Sequence, residues 1–503
     1  MLSLRRLSYF AIKSSSRAPL YVGAYQGNIN LVTLMIPRES KKLVWFAHMW
    51  AIAALFHLSG NARDALNNQP ILAILSLLIA IAAIYTLITP LKRQWLTILC
   101  VLIPLHAWQE TPVIGNHWIL AAFLSLAWLF VAARKKFVIS TRWEDFIPTA
   151  QLTLLAAYGF AAFAKVNTDF LDPAVSCAVY YHDQLVRSWG LSELQASDSP
   201  LTGRVIAVLA MLTELAIFVA LAIHKIRRLG LILAFSFHWL LAMNLGQHFW
   251  DFSSVLFAGF LLFLDDVQVA RLQIWADRAA YIAPRQTLLR LFVVVVGVSI
   301  AGLNIVAPFP EHSWALLLIG HAAWWLYGTA VLFIVLASLL SVTNGSNSNS
   351  YRSVGILIII PVIAIFNGLT PYLEIKTGFS WNMYSNLRTV AGQTNHLLIP
   401  RTLDLTGAQR DLVRIFNTSD PNLDQLRVKQ YGLPFVEFRK YAQDHPEESV
   451  TYERGGVIRH VDRLGDDSLS YDPIDVAPKR LLSFRAVDLQ TTERCRPVFY
   501  ASR

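Results

Sequence analysis

The stretch Ile147-Pro-Thr-Ala-Gln-Leu-Thr-Leu-Leu-Ala-Ala-Tyr-Gly-Phe-Ala-Ala-Phe-Ala-Lys165 is uncharged until its last residue. It has the length and apolar character of a membrane-crossing helix. An ammonium at the end of such a helix has two readings. It snorkels to the membrane surface, or it is held inside the protein by a partner, a water-filled cavity or a substrate. What else reaches the same place decides between them.

Outward from this stretch, the chain reads as a membrane protein. Its 503 residues are 55% hydrophobic and only 15% charged, with a mean hydropathy of +0.45. Apolar runs near spanning length predict eleven helices, near 43–59, 71–89, 95–109, 117–133, 147–165, 203–224, 228–247, 252–264, 288–306, 315–341 and 354–372. Lys and Arg test the count. With the amino terminus in the cytoplasm, 21 of them before residue 373 fall on inner connections and 4 (Arg63, Lys165, Arg187, Arg204) on outer ones. The expected fold is an all-α polytopic membrane domain with a small extracytoplasmic α+β C-terminal domain. The expected divisions are a basic cytoplasmic arm at 1–42, a transmembrane domain at 43–372 and the C-terminal domain at 373–503. The expected location is a cell membrane, with the C-terminal domain on the side away from the cytoplasm.

The net charge of +10 follows from that topology. From residue 373 onward 18 basic residues meet 17 acidic ones, so the excess sits in the cytoplasmic connections. No clustered basic face points to nucleic acid. The first 38 residues lack acidic groups and faintly resemble an organellar transit peptide, but a cytoplasmic arm explains the same basic excess. Of three cysteines, Cys100 lies within the third helix, whereas Cys177 and Cys495 share the outer side, where a disulfide between them is expected. After residue 373, short alternating runs such as Ser449–Glu453 and Gly456–Val461 read as strands. An interfacial helix is expected near 174–190.

Several ionisable groups collect towards the outer half of the membrane: His57, His106, His117, Lys165, Glu214 and His238, with His248 and Asp251 in the next outer connection. Singly, each has a structural reading, such as a hydrogen bond to a neighbouring helix for Glu214 or a satisfied core imidazole for His238. Their shared side is what favours function. On the fifth helix, Tyr158, Ala162 and Lys165 share one face. Ala157, Ala161 and Ala164 form an adjacent small-residue strip that would admit another helix closely. Burial there would neutralise the amine and make it a general base. Motifs of soluble nucleotide-binding, hydrolytic and metal-dependent enzymes are absent from the sequence. His57, His106 and His117 are metal-ligand types, but no i, i+4 histidine pair accompanies them, so no metal is expected.

The segment Tyr158-Gly-Phe-Ala-Ala-Phe-Ala-Lys165-Val-Asn-Thr-Asp-Phe170-Leu resembles the signature of the vitamin K-dependent γ-glutamyl carboxylases and their bacterial relatives, the horizontally transferred transmembrane (HTTM) proteins. Asn116-His117, Glu214, and Phe237-His238 through Met243-Asn244 are similar to further family stretches, as is Pro371–Thr377 with Met383–Leu387. The resemblance covers roughly residues 40–310. It implies that Lys165 is the base that deprotonates vitamin K hydroquinone or another quinol. Oxygenation then generates a stronger base that removes a glutamate γ-proton before carbon dioxide adds. It implies supporting roles for His117, His238 and Glu214, cofactor contacts at Tyr158 and Asn116, and a peptide or protein substrate on the extracytoplasmic side. Two departures bear on substrate recognition: the vertebrate enzymes carry paired lysines where this chain has Ala164-Lys165, and their lumenal region exceeds the 131 residues after 372. The alternative expectation is a family member without carboxylase activity that transports, binds lipid or acts as a scaffold.

Overall fold

The computed structural model describes residues 38–68, 70–111, 114–138, 141–282, 313–341, 355–465, 480–490 and 492–495. The basic arm up to residue 37, the ninth expected span and most of the Ser/Asn-rich connection after Ser341 lie outside the described residues.

Every other expected span corresponds to a helix. These are α1 (Arg38–Asn68), α2 (Pro70–Ile88), α3 (Arg93–Glu110), α4 (Asn116–Phe137), α5 (Phe146–Phe163), α8 (Pro200–Ala222), α9 (Arg227–Leu241), α10 (Phe249–Leu261), α12 (Ser313–Leu340) and α13 (Ile359–Leu369). Between them lie the short α6 (Thr168–Leu171), α7 (Cys177–Ser188) where an interfacial helix is expected, and α11 (Asp266–Ile282) in the connection after the eighth expected span. Among the described residues, six helices are long and apolar enough to cross a membrane: Lys41–Ser59, Pro70–Ile88, Asn116–Phe137, Trp143–Phe163, Pro200–Ala222 and Leu318–Leu340. The others fall short for visible reasons. α3 carries Pro104, His106 and Glu110, and α10 has 13 residues, about 20 Å of helix against a ~30 Å hydrocarbon core.

Burial sorts the helices into centre and rim. The Lys41–Ser59 window is 78% buried and that of Pro200–Ala222 only 22%, so α1 is central and α8 peripheral. Along α10 nearly every side chain is buried, as an all-round apolar helix requires. On α8, Leu201, Val205, Leu209, Leu212 and Val219 are exposed, an apolar face suited to lipid. Helix α5 packs against α4, α8 and α13. The last contact is close: a Cβ on Gly368 of α13 would meet the Phe160 ring at 2.2 Å, so only a glycine fits there unless the ring moves.

The polypeptide after residue 370 joins the same compact unit as the helices. Phe379 and Trp381 belong to the helical core cluster. Further on, after the short antiparallel pair β1 (Thr389–Val390) and β2 (Gln393–Thr394), strands β3 (Leu412–Thr418), β4 (Tyr431–Pro434), β5 (Val450–Arg454), β6 (Val457–Val461) and β7 (Val487–Asp488) form an antiparallel sheet ordered β6-β5-β3-β4-β7. The β5–β6 hairpin turns on Gly455 and Gly456, with φ of 59° and 78°, the left-handed pair that a two-residue hairpin favours. Helices α14 (Pro421–Lys429) and α15 (Phe435–Asp444) cover the sheet through Leu423, Leu426, Phe438 and Tyr441. Asp420 starts α14 by accepting from the Asn422 and Leu423 amides at 2.7 and 2.9 Å, with Pro421 in the first turn.

Cys177 at the start of α7 is disulfide-bonded to Cys495, a closure across 318 residues of sequence, while Cys100 is a free, buried thiol. Titration of the unreduced, denatured protein should therefore find one thiol per chain, rising to three on reduction. Three thiols before reduction would contradict the bond.

Candidate functional site

Helix α5 stops just short of its lysine. The turn closes through the Ala164 and Lys165 amides on Phe160 O and Ala162 O, at 2.9 and 3.1 Å. Side chains on a helix lean toward its N-terminus, and Lys165 does so. Its Nζ donates to Ala161 O at 3.1 Å and meets Glu214 Oε2 of α8 at 2.8 Å. Both side chains are largely enclosed, 9% and 15% exposed. The amine is thus folded back into the protein rather than extended toward a surface.

The residues that follow the lysine hold the chain. Asn167 accepts from the Phe170 amide at 2.8 Å and donates to Ala164 O and Ser385 O at 2.7 and 2.6 Å. Asp169 accepts from the Glu493 amide at 2.6 Å. The polar end of the motif therefore ties α5 to the C-terminal polypeptide.

Lys165 and Glu214 border a cavity of about 360 Å³, within the usual size for small-molecule sites. Asn116, His117, Tyr158 and His238 line it as well. The six residues singled out from the sequence, on α4, α5, α8 and α9, thus surround one space. Tyr158 Oη and His238 Nε2 are 3.1 Å apart, and the other His238 nitrogen has no hydrogen-bond partner among the described residues. Most of the remaining lining is apolar, including Leu120, Leu154, Leu256 and Phe252.

Two sequence expectations change here. Ala157 and Ala161 line the cavity instead of admitting a close-packed helix; their small side chains leave the space open. The amine is not isolated by burial alone, because Glu214 is in contact with it. Any base chemistry must involve both groups.

Behind His117 lies a polar cluster whose connectivity the sequence did not reveal. His117 Nε2 is 2.8 Å from Asp251 Oδ2, which is 3.0 Å from His57 Nδ1. His57 Nε2 is 3.1 Å from Glu110 Oε1, and the His57 ring stacks on Trp118 at 3.6 Å between centroids. The nearby His106 is engaged at both nitrogens, by the Trp118 indole at 3.1 Å and by Ser76 Oγ at 3.0 Å. Glu110, absent from the groups that the sequence singles out, is the i+4 neighbour of His106 on α3, 3.7 Å from its Nδ1; that spacing was its signal in the sequence.

The C-terminal polypeptide completes the cavity wall. Trp381, Met383 and Tyr384 line it, in a stretch where Glu374, Phe379, Trp381, Tyr384 and Asn386 all have positive φ. Such conformations cost bulky residues about 1–3 kcal/mol each. The stretch is fastened by Trp381 Nε1 to Ala364 O at 2.7 Å, by Asn367 to Phe379 O at 3.1 Å and by Asn386 to Val175 O and Glu493 O at 2.9 and 2.8 Å. A second buried lysine, Lys376, sits 4.0 Å from the Phe379 ring centroid, and burial brings its pKa down to about 7. It is not part of the cavity lining.

Comparison with protein-family models, curated proteins and solved structures finds no match to this chain. The site must be judged by its own geometry. If the Lys165–Glu214 pair is buried as described, Lys165→Met should destabilise the protein by about 3–5 kcal/mol through the orphaned carboxylate. The double variant Lys165→Met/Glu214→Leu should recover most of that loss. Denaturation in detergent measures both. A single variant within about 0.5 kcal/mol of wild type would instead indicate a solvated pair.

Proposed function

We propose that this chain is an integral membrane enzyme that deprotonates a small, largely apolar hydroxylic molecule of the quinol class, with Lys165 and Glu214 acting together as the base. The observation that carries this reading is the Lys165–Glu214 pair, 2.8 Å apart, on the wall of a mostly apolar cavity shared with His117, Tyr158 and His238. A lone protonated amine cannot take up a proton. Beside a carboxylate it can: Glu214 receives one proton from Lys165 Nζ as the amine takes another from the bound hydroxyl. The substrate becomes an anion and the pair a neutral acid beside a cation. The water-poor surroundings strengthen the attraction between that cation and the new anion. His117, held by Asp251 at 2.8 Å, has its other nitrogen to offer such an anion. Tyr158 and His238 restrain its orientation, and Asn116 adds an amide to the wall.

The resemblance to the vitamin K-dependent carboxylases extends this to a carbon–carbon bond-forming reaction on a glutamyl peptide, with a reduced quinone as the molecule deprotonated. In the same reading the chain has eleven spans, a cytoplasmic amino terminus and an extracytoplasmic C-terminal domain in a bacterial inner membrane. The distribution of Lys and Arg and the Cys177–Cys495 bond support that orientation, because a disulfide persists in an oxidising compartment.

The test is incorporation of labelled bicarbonate into a glutamate peptide by membranes supplied with reduced quinone. Wild type should incorporate label, and Lys165→Ala should lose at least about 100-fold, the lower range for removing a general base. Undiminished incorporation by Lys165→Ala would remove Lys165 as the base, and none in wild type would remove the carboxylase reading.

A further inference from the structure

The His57–Asp251–His117 cluster has the makings of a metal site. Its three side chains come from α1, α10 and α4, and their donor atoms lie within 4.8 Å of one another. Asp251 Oδ2 is 3.0 Å from His57 Nδ1 and 2.8 Å from His117 Nε2. Around an ion with bonds of about 2.1 Å, adjacent donors at right angles sit about 3.0 Å apart. The two spacings to Asp251 match that requirement.

We propose that His57 Nδ1, His117 Nε2 and the Asp251 carboxylate bind one divalent first-row transition-metal ion at the wall of the cavity. Three further features support the assignment. Glu110 Oε1 stands 3.1 Å from His57 Nε2. A carboxylate accepting the second N–H of an imidazole is the usual support of a metal-bound histidine, and it places the ring's lone pair on Nδ1. Asp251 Oδ1 is buried without a hydrogen-bond partner among the described residues, a costly state for a carboxylate oxygen that coordination relieves. The carboxylates of Glu110 and Asp251 are both buried, acidic groups whose charge a dication would offset.

Two imidazoles and one carboxylate suit iron, manganese, cobalt or zinc rather than magnesium or calcium. His117 lines the cavity, and its neighbour Asn116 lines it with a buried, unpartnered Oδ1. The other two ligands, His57 and Asp251, stand behind His117 and do not line the cavity, so His117 is what joins the site to it. The alternative donor set of His57, His106 and Glu110 is less free, since both His106 nitrogens are engaged. None of the three proposed ligands is Lys165 or Glu214, so the site stands or falls apart from the base chemistry.

The experiment is elemental analysis of the full-length protein, purified in detergent without chelator from cells supplied with iron, manganese, cobalt and zinc. One equivalent of a single ion per chain is expected. Asp251→Asn and His117→Ala should each retain less than a tenth of it, with the thiol count of the Cys177–Cys495 bond reporting that they have folded. Glu110→Gln keeps all three donors, so it should bind metal but yield it to a chelator about 10–100-fold more readily. Two results would overturn the site. One is a metal-free wild type that added manganese, cobalt or zinc does not stabilise against heat. The other is full metal content in a folded Asp251→Asn variant.

Discussion

An ammonium and a carboxylate 2.8 Å apart on the wall of an apolar cavity set the terms for the surrounding structure. Neither charge is tolerable there alone. Their pairing requires α5 and α8 to be held in register and the lysine to turn back along its own helix, which the short turn after Phe163 and the bond to Ala161 O accomplish. The same pairing leaves the cavity neutral as a whole at this end. An uncharged aromatic molecule can then enter without desolvating a bare ion.

At the other end the problem is solved differently. His57, His117, Asp251 and Glu110 concentrate two carboxylates and two imidazoles behind the wall, where each carboxylate meets an imidazole. Between the two ends run Tyr158 and His238, whose mutual hydrogen bond crosses from α5 to α9. The C-terminal polypeptide closes the arrangement. Its strained backbone around Trp381 and Tyr384 is held by the hydrogen bonds of Asn167, Asn367 and Asn386 and by the Cys177–Cys495 crosslink. Removing the C-terminal polypeptide would therefore remove part of the cavity wall, which bears directly on any reading of it as a detachable binding domain.

Much of this was legible in the residues because the membrane environment writes strongly. Apolar run length located α1 to α5, α8 to α10, α12 and α13, and the strands β5 and β6 followed from alternation and the Gly455-Gly456 turn. Lys165, Glu214 and His238 stood out because charge within apolar helices is rare. Trp381 and Tyr384 did not, since aromatic residues in a water-compatible segment carry no comparable signal and their backbone conformation is set by tertiary contacts. The partnership of His57 with Glu110 and Asp251 was hidden by sequence separations of 53 and 194 residues. The alanine strip showed the ambiguity of small residues, which serve a close helix contact or an open space equally well.

The central claim is that the cavity beside Lys165 holds a quinone-class molecule. Mass spectrometry of the organic extract from purified protein tests it most directly, comparing wild type with Ala161→Trp, whose indole would occupy the space next to the amine. Wild type should carry a stoichiometric quinone that the filled variant lacks. Phospholipid alone, in equal amounts from both proteins, would contradict the claim.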